Sequence, residues 1–440
     1  MILRFLLFIW LSLIFFLICL FLYLRKKKNN EILYIIIPII CIAIWAIHWL
    51  IVIYIRQKLP FWDFGVYYYS GRQLLIDPNR FYRENYGSWI GITSLPFFCM
   101  LWAISISLLP YNISYFVWYG LHYIFAILFI LEFNKILKLL GLKEKIHRFL
   151  FLMVISNGWL IIHQFALNQS KFFVGVILFF ILRREIQYKK EEKEKDFKYK
   201  FITYFLFAMI VGMIPYFLFL LLIFIFHDIP FGKLFEKENL KTYGLVAVIF
   251  LSQNFLLIIY PRLIFDYYFI VFRYFQSIQL KSLCYYLVFI KKIFYIPLET
   301  KFIISFILII LMYVIIAFLL ITKKLKIHEK FSYFALSFLL TNTLAYKTII
   351  ILFPLILLLF IPYFHQDAIG RDFINNNKYV LIGLLSVLGI YLTIEKQNTF
   401  YPNLFFGTAG YLFFTLLLGF CLLKLHLDKD FYIVERKTED

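Results

Sequence analysis

The sequence predicts an all-α polytopic membrane protein, and three observations predict it. Of its 440 residues, 63% are hydrophobic and 22% aromatic, with a mean hydropathy of +0.84, far more apolar than the usage of ordinary soluble domains. Apolar stretches of about 20 residues, the length that crosses a hydrocarbon core, recur from end to end. The net charge of +20 is gathered in basic clusters between those stretches. That is the distribution of the positive-inside rule, and not a nucleic-acid footprint.

In order, the candidate spans are residues 5–24, 32–55, 112–133, 149–163, 172–183, 201–226, 245–260, 302–322, 332–364, 379–395 and 404–426. With the interruptions resolved this predicts roughly 11 to 13 transmembrane helices. The 5–24 run is too long for a signal-peptide core and has no small-residue cleavage site after it, so it reads as a span. The 93–109 run starts in Ser94-Leu95-Pro96 and stops at Pro110, and reads as an interfacial or re-entrant helix. The 201–226 run contains Gly212 and Pro215 and reads as two half-helices. The 332–364 run is too long for one crossing and carries Thr341-Asn342-Thr343 and Lys347 midway. It reads as two helices around a break, tolerated at depth only where protein or a cavity covers the backbone.

Loop charge orients these spans. Arg25 to Lys28, Lys135 to Arg148, Arg183 to Lys200 and Lys323 to Lys326 are expected on the cytoplasmic side. The loops 56–111, 164–171, 261–301 and 396–403 then fall outside. The expectation is one integral domain over 1–440, with 56–111 as an extracytoplasmic catalytic loop carrying interfacial helices and 261–301 as a second outward loop. The expected location is the cell membrane, with the active side facing out. Juxtamembrane Lys and Arg also make membrane lipids expected partners.

Several classes drop out. Cys19, Cys41, Cys99 and Cys421 lie in apolar runs and Cys284 in a loop, with no CxxC or metal spacing, so they read as packing residues. There is no GxxxxGK[ST] and no GxGxxG, which argues against an ATP-driven pump. The mixed-charge run 188–196 reads as a solvated loop. His48, His122 and His163 stand singly on apolar runs and read as hydrogen-bonded core histidines. Gln253-Asn254 reads as polar glue between helices.

The residues that invite chemistry begin at Asp63, the first acid after Glu31, at the mouth of a span among aromatics. A carboxylate parked there is a functional candidate, although Asp is also a favoured cap for a helix starting near Phe64. Asp77 precedes Pro78-Asn79 and reads as a turn residue. Tyr67, Tyr68 and Tyr69 read as an interface belt, with one of them a candidate lining residue. Arg262, Arg273, Lys281, Lys291 and Lys292 sit in an outward loop against the charge bias. They suit either a lipid phosphate or anionic headgroups. Lys347, midway along an apolar run, must face a partner or a polar cavity, or snorkel at the break. Gln169, in a short outward connection, suits either hydrogen bonding to ligand or structural capping.

The stretch from Asp63 to Trp118 resembles the start of the polyprenol-phosphate-mannose-dependent mannosyltransferases of glycosyltransferase family 87, multispan enzymes of the GT-C fold. The matching residues are Asp63, Tyr67, Tyr68, Gly71, Leu74 and Leu75, then Ser94-Leu95-Pro96-Phe97, then Leu109-Pro110 and Tyr115-Phe116-Val117-Trp118. Further along, Asn168-Gln169-Ser170-Lys171 stands where the family has Gly-Gln-x-Asn and keeps Gln169. Ile214-Pro215 stands for a family Lys-Pro and keeps the proline. Thr341 to Lys347, followed by Pro354, resembles an element in which Lys347 takes the place of a His.

The resemblance implies a GT-C hexosyltransferase that moves mannose from a polyprenyl-phosphate sugar to a lipid-linked or glycolipid acceptor by inverting displacement. No cofactor beyond the lipid-phosphate donor is implied, and no nucleic-acid partner. Asp63 would be the catalytic base. Tyr67, Tyr68, Arg72, Gln169, Arg262, Arg273 and Lys347 would contact donor or acceptor, and no residue is expected to hold a metal. A lipid or lipid-linked-sugar transporter, and a family relative without activity, remain alternatives.

Overall fold

In the computed structural model, the described residues lie mainly within 33–56, 62–84, 94–156, 168–270, 298–341 and 345–361, with Leu59 and a few residues of 161–165 besides. Among them the regular structure is all helical. The candidate spans 5–24, 379–395 and 404–426 lie outside the described residues.

The helices are α1 (Leu33–Arg56), α2 (Trp62–Ile76), α3 (Pro96–Ala103), α4 (Tyr111–Leu139), α5 (Lys145–Ser156), α6 (Lys171–Lys190), α7 (Phe197–Met213), α8 (Leu218–His227), α9 (Lys237–Gln253), α10 (Phe255–Ile259), α11 (Leu298–Ile321), α12 (Ile327–Thr341) and α13 (Ala345–Leu357). Residues 262–270 are helical as well. Two stretches among the described residues, Tyr34–Ile55 and Tyr111–Leu139, are long and apolar enough to cross a bilayer.

The helices start and stop where local chemistry dictates. Pro96 opens α3 at its first position, where a missing N–H costs nothing. Asp196 caps α7 by accepting the Tyr199 N–H at 2.7 Å. Gly141, at φ 90°, closes α4, and the Leu142 N–H reaches back to the Leu137 carbonyl at 3.0 Å. Such a closure needs the left-handed region that glycine enters freely.

The core is built on α4 and α6, which run side by side in the same direction with α5 between them in sequence. Phe129 and Phe133 of α4 meet Phe179 of α6 at 5.0 and 5.5 Å. Gly175 of α6 lets the backbone approach the Phe129 ring. A Cβ there would lie 2.6 Å from Phe129 Cε2. Around this pair pack α1 and α5 on one flank and α7, α12 and α13 on the other, while α11 lies on α8 and α12.

The first expected helix break is present; of the second, Asn342 and Thr343 lie outside the described residues. Between α7 and α8 the chain turns at Ile214 and runs through a 3-10 segment, Pro215–Phe217. α12 is described to Thr341 and α13 from Ala345. The first break packs against both: the Tyr216 hydroxyl donates to Thr348 Oγ1 of α13 at 2.8 Å, and its ring stacks on Phe338 of α12 at 4.4 Å. The first loop joins this break, for the Leu95 N–H donates to the Gly212 carbonyl at 2.7 Å. The Ser94 hydroxyl donates to the Met213 carbonyl at 3.3 Å. Carbonyls freed by the break are therefore satisfied from the loop.

The 93–109 run forms only the eight-residue α3 and a 3-10 turn, Ile106–Leu108, about 12 Å of α-helix against a hydrocarbon core of about 30 Å. Other bounds differ from the apolar runs. The 172–183 run is the N-terminal part of the 20-residue α6, which continues to Lys190, because charge bounds an apolar run but does not stop a helix. The run at 149–163 corresponds to α5, which begins earlier, at Lys145.

Candidate functional site

Asp63 lies inside the first turn of α2, where a negative charge is favoured by the helix dipole. The sequence suggested it as the cap of a helix beginning at Phe64. Among the described residues its helix begins at Trp62, which puts Asp63 within the first turn. The partner is Gln169: its Nε2 donates to Asp63 Oδ2 across 106 positions of sequence. Gln169 itself is 1% exposed.

Two features fix the segment that carries Gln169. Asn168 adopts a left-handed φ of 50°, which Asn tolerates better than most residues. Its carbonyl accepts the indole N–H of Trp118 from α4 at 3.1 Å. Phe165 packs its ring on Tyr119 and His122 of α4 at 5.4 and 5.2 Å. Phe172, at the start of α6, meets His122 from its own side at 4.9 Å. The 164–172 stretch is thus pinned along one face of α4, and this delivers Gln169 to Asp63.

The aromatics around Asp63 form a wall. Phe64 is buried against Trp102, Tyr111 and Tyr115 at 5.7, 5.3 and 5.1 Å. Tyr67, half-buried, lies on Phe98 and Trp102, each at 5.3 Å. Tyr68 is buried, and its hydroxyl donates to the Leu109 carbonyl at 2.7 Å. Arg72 donates from Nε to the Ser107 carbonyl at 3.1 Å and lies over the Tyr68 ring at 5.1 Å. Tyr68 and Arg72 thereby fasten α2 to the turn before α4. Gly71 allows the approach, because a Cβ there would come within 2.4 Å of Ser107 Oγ. Cys99 contacts the Ser70 hydroxyl at 3.6 Å. Burial pushes its thiol up to about 12, so it stays an unreactive packing residue.

The remaining candidates stand apart from this contact. Arg262 is exposed on the helical stretch 262–270. In the same stretch Asp266 forms a two-pronged ion pair with Arg83, at 2.9 and 3.2 Å. That bond raises the Arg83 pKa. It ties the 261–301 segment to the 56–111 segment, a link that neither residue advertised in sequence. Arg273, Lys281, Lys291 and Lys292 lie outside the described residues. Lys347 falls in the first turn of α13, just after the expected second break and beside Thr348. Its side chain is outside the described part of the chain.

Two further expectations concern isolated polar residues. Gln253 does join helices, donating from Nε2 to the Phe205 carbonyl of α7 at 2.9 Å. His122 does not fit the expectation of a hydrogen-bonded core histidine. It is 0% exposed and neither ring nitrogen has a hydrogen-bond partner, because the groups facing it are the rings of Phe165 and Phe172. His163 lies outside the described residues. Among the described residues no group of three or more His, Cys, Asp or Glu could hold a metal ion.

Sequence reasoning also passed over Gln164 and Asn168, both 0% exposed. The available signal was two amides within six residues of Gln169 in an otherwise apolar stretch. Comparison of the chain with protein-family models, curated proteins and solved structures gave no match.

Proposed function

We propose that this chain is a multi-pass membrane hexosyltransferase of the GT-C type. In this reading it transfers a hexose, mannose by resemblance, from a polyprenyl phosphate to a lipid-linked or glycolipid acceptor on the extracytoplasmic side. One observation carries the reading: Asp63 and Gln169, nominated separately by the family resemblance, are hydrogen-bonded to each other across 106 positions. The contact of the 214–217 break with α13 and of its neighbour Met213 with the first loop gives further support. Irregular backbone at depth belongs where a site or cavity is built.

In the proposed reaction the acceptor hydroxyl oxygen attacks the anomeric carbon, and its proton passes to the Asp63 carboxylate. The bond from that carbon to the phosphate oxygen breaks, and the electron pair leaves with the phosphate, inverting the centre. Gln169 is a positioning residue that holds Oδ2 and leaves the other carboxylate oxygen to face the hydroxyl. Lys347, Arg262 and Arg273 are the candidate cations for the departing phosphate. No metal is assigned to the reaction.

The test is transfer of radiolabelled mannose from polyprenyl-phosphate-mannose to native membrane lipids by purified protein, beside Asp63→Asn. Label transferred by wild type and lost in the variant supports the reading. A folded wild-type protein that transfers nothing from a panel of hexose donors removes it.

A further inference from the structure

Around the Asp63–Gln169 contact the protein buries seven side-chain polar atoms that have no hydrogen-bond partner. These are both amide atoms of Gln164, both of Asn168, Oε1 of Gln169 and both ring nitrogens of His122. All seven lie on the segment that carries Gln169 or on the stretch of α4 against which that segment packs. Asn168 and Gln169 are adjacent, Gln164 is little more than a helical turn away in sequence, and the ring of His122 lies against Phe165 and Phe172.

Elsewhere the buried amides are treated differently. Gln253 and Asn254 each leave one oxygen unpartnered but spend their N–H groups on the carbonyls of Phe205 and Phe250. Gln164 and Asn168 spend nothing. Buried polar groups are almost always satisfied, and an unmade bond in an apolar surround is costly. A cluster of them beside a carboxylate therefore asks for a ligand.

The chemistry of the set narrows that ligand. Two primary amides supply both N–H donors and carbonyl acceptors, Gln169 adds an acceptor, and a neutral imidazole adds one of each. A phosphate would be met by donors and cations alone, and an ammonium group by acceptors and carboxylates alone. A mixed and uncharged set matches hydroxyl groups, each of which donates and accepts at once. We infer that Gln164, Asn168, His122 and the Gln169 carbonyl form the subsite for the neutral sugar ring of the acceptor, placing one of its hydroxyls at Asp63. This inference rests on the reading of Asp63 as the base of a sugar transfer, and it separates the sugar subsite from the cations assigned to the phosphate.

The test uses full-length protein in lipid nanodiscs, as wild type, Gln164→Met and Asn168→Gly. Methionine keeps the shape of Gln164 without its polar atoms, and glycine keeps the left-handed backbone at 168. Thermal unfolding is recorded alone and with hexyl mannoside, hexyl glucoside, hexyl galactoside or hexyl phosphate. KM for donor and acceptor is taken from the transfer assay.

At least one hexoside is expected to raise the wild-type Tm, with tenfold or more lost in apparent affinity in both variants. The acceptor KM rises by a similar factor while the donor KM stays. Ligand-free Gln164→Met keeps or exceeds the wild-type Tm, because the amide it lacks was bonded to nothing. A fall in that Tm with hexoside affinity intact would show that the amides hold the fold through water, and would overturn the inference. Stabilisation by hexyl phosphate and by no hexoside would overturn it too. Hexoside binding lost in the variants of a protein that transfers no sugar would leave the subsite standing and remove the transferase reading. Transfer with both KM values untouched by the variants would do the reverse.

Discussion

Two buried polar regions lie on the same pair of helices, and they are finished to different standards. Near the start of α4 and α6, Asp63 has Gln169, and the amides and imidazole around them have nothing. Further along the same helices every buried acid is occupied. Glu132 accepts from Lys135 at 2.7 Å and from Arg183 at 2.6 Å. Glu185 accepts from Lys195 at 2.5 Å and from the Tyr199 hydroxyl at 2.7 Å, and Arg184 lies over the Tyr199 ring at 4.6 Å. The satisfied region holds helices together. In the proposed reading the unsatisfied one is kept for a ligand at a cost in stability, which is how a binding site would differ from a structural joint.

The comparison can be broken most sharply at Asp63. Asp63→Asn should lower the transfer rate by roughly 10² to 10⁴-fold with the unfolding temperature nearly unchanged; a comparable loss of fold would make Asp63 a structural residue after all. The largest stability effect should come from the other region. Glu185→Ala strands the Tyr199 hydroxyl and Lys195 and should cost about 2–3 kcal/mol. That is less than for a fully enclosed pair, because Lys195 keeps some solvent. Its acceptor KM should not move.

Gly175→Val, between the two regions, would press a side chain into the Phe129 ring. It should cost about 1–3 kcal/mol, seen as a lower Tm in the same assay. Arg83→Ala removes an ion pair whose arginine is 42% exposed and should leave the unfolding temperature almost unchanged. A clear loss would mean that the 56–111 and 261–301 segments depend on each other more than a solvated pair allows.

Much of this organisation was legible in sequence. Gly212 and Pro215 announced the break between α7 and α8, because backbone chemistry is local and each residue type carries its own rule. The shortness of α3 was legible from Pro96 and Pro110. Asp63 and Gln169 were found as separate candidates, but their contact was not, since nothing in hydrophobic periodicity encodes which polar side chains meet. The same gap hid the Arg83–Asp266 pair. It also hid the fastening of Tyr68 and Arg72 to carbonyls of the 107–109 turn. His122 was misread for a related reason. A lone histidine in an apolar run is ordinarily satisfied by a neighbouring helix, and here the neighbours are phenyl rings.

The bond from Ser94 to Met213 spans 119 positions and has a consequence for the order of events during synthesis. At about 5–20 residues per second, the ribosome needs roughly 6 to 24 s to go from one partner to the other. Throughout that interval the loop between α2 and α4 has left the translating complex without the carbonyls that will hold it. The start of α3 must wait, with its N–H and hydroxyl donors unpartnered, until the end of α7 arrives to accept them.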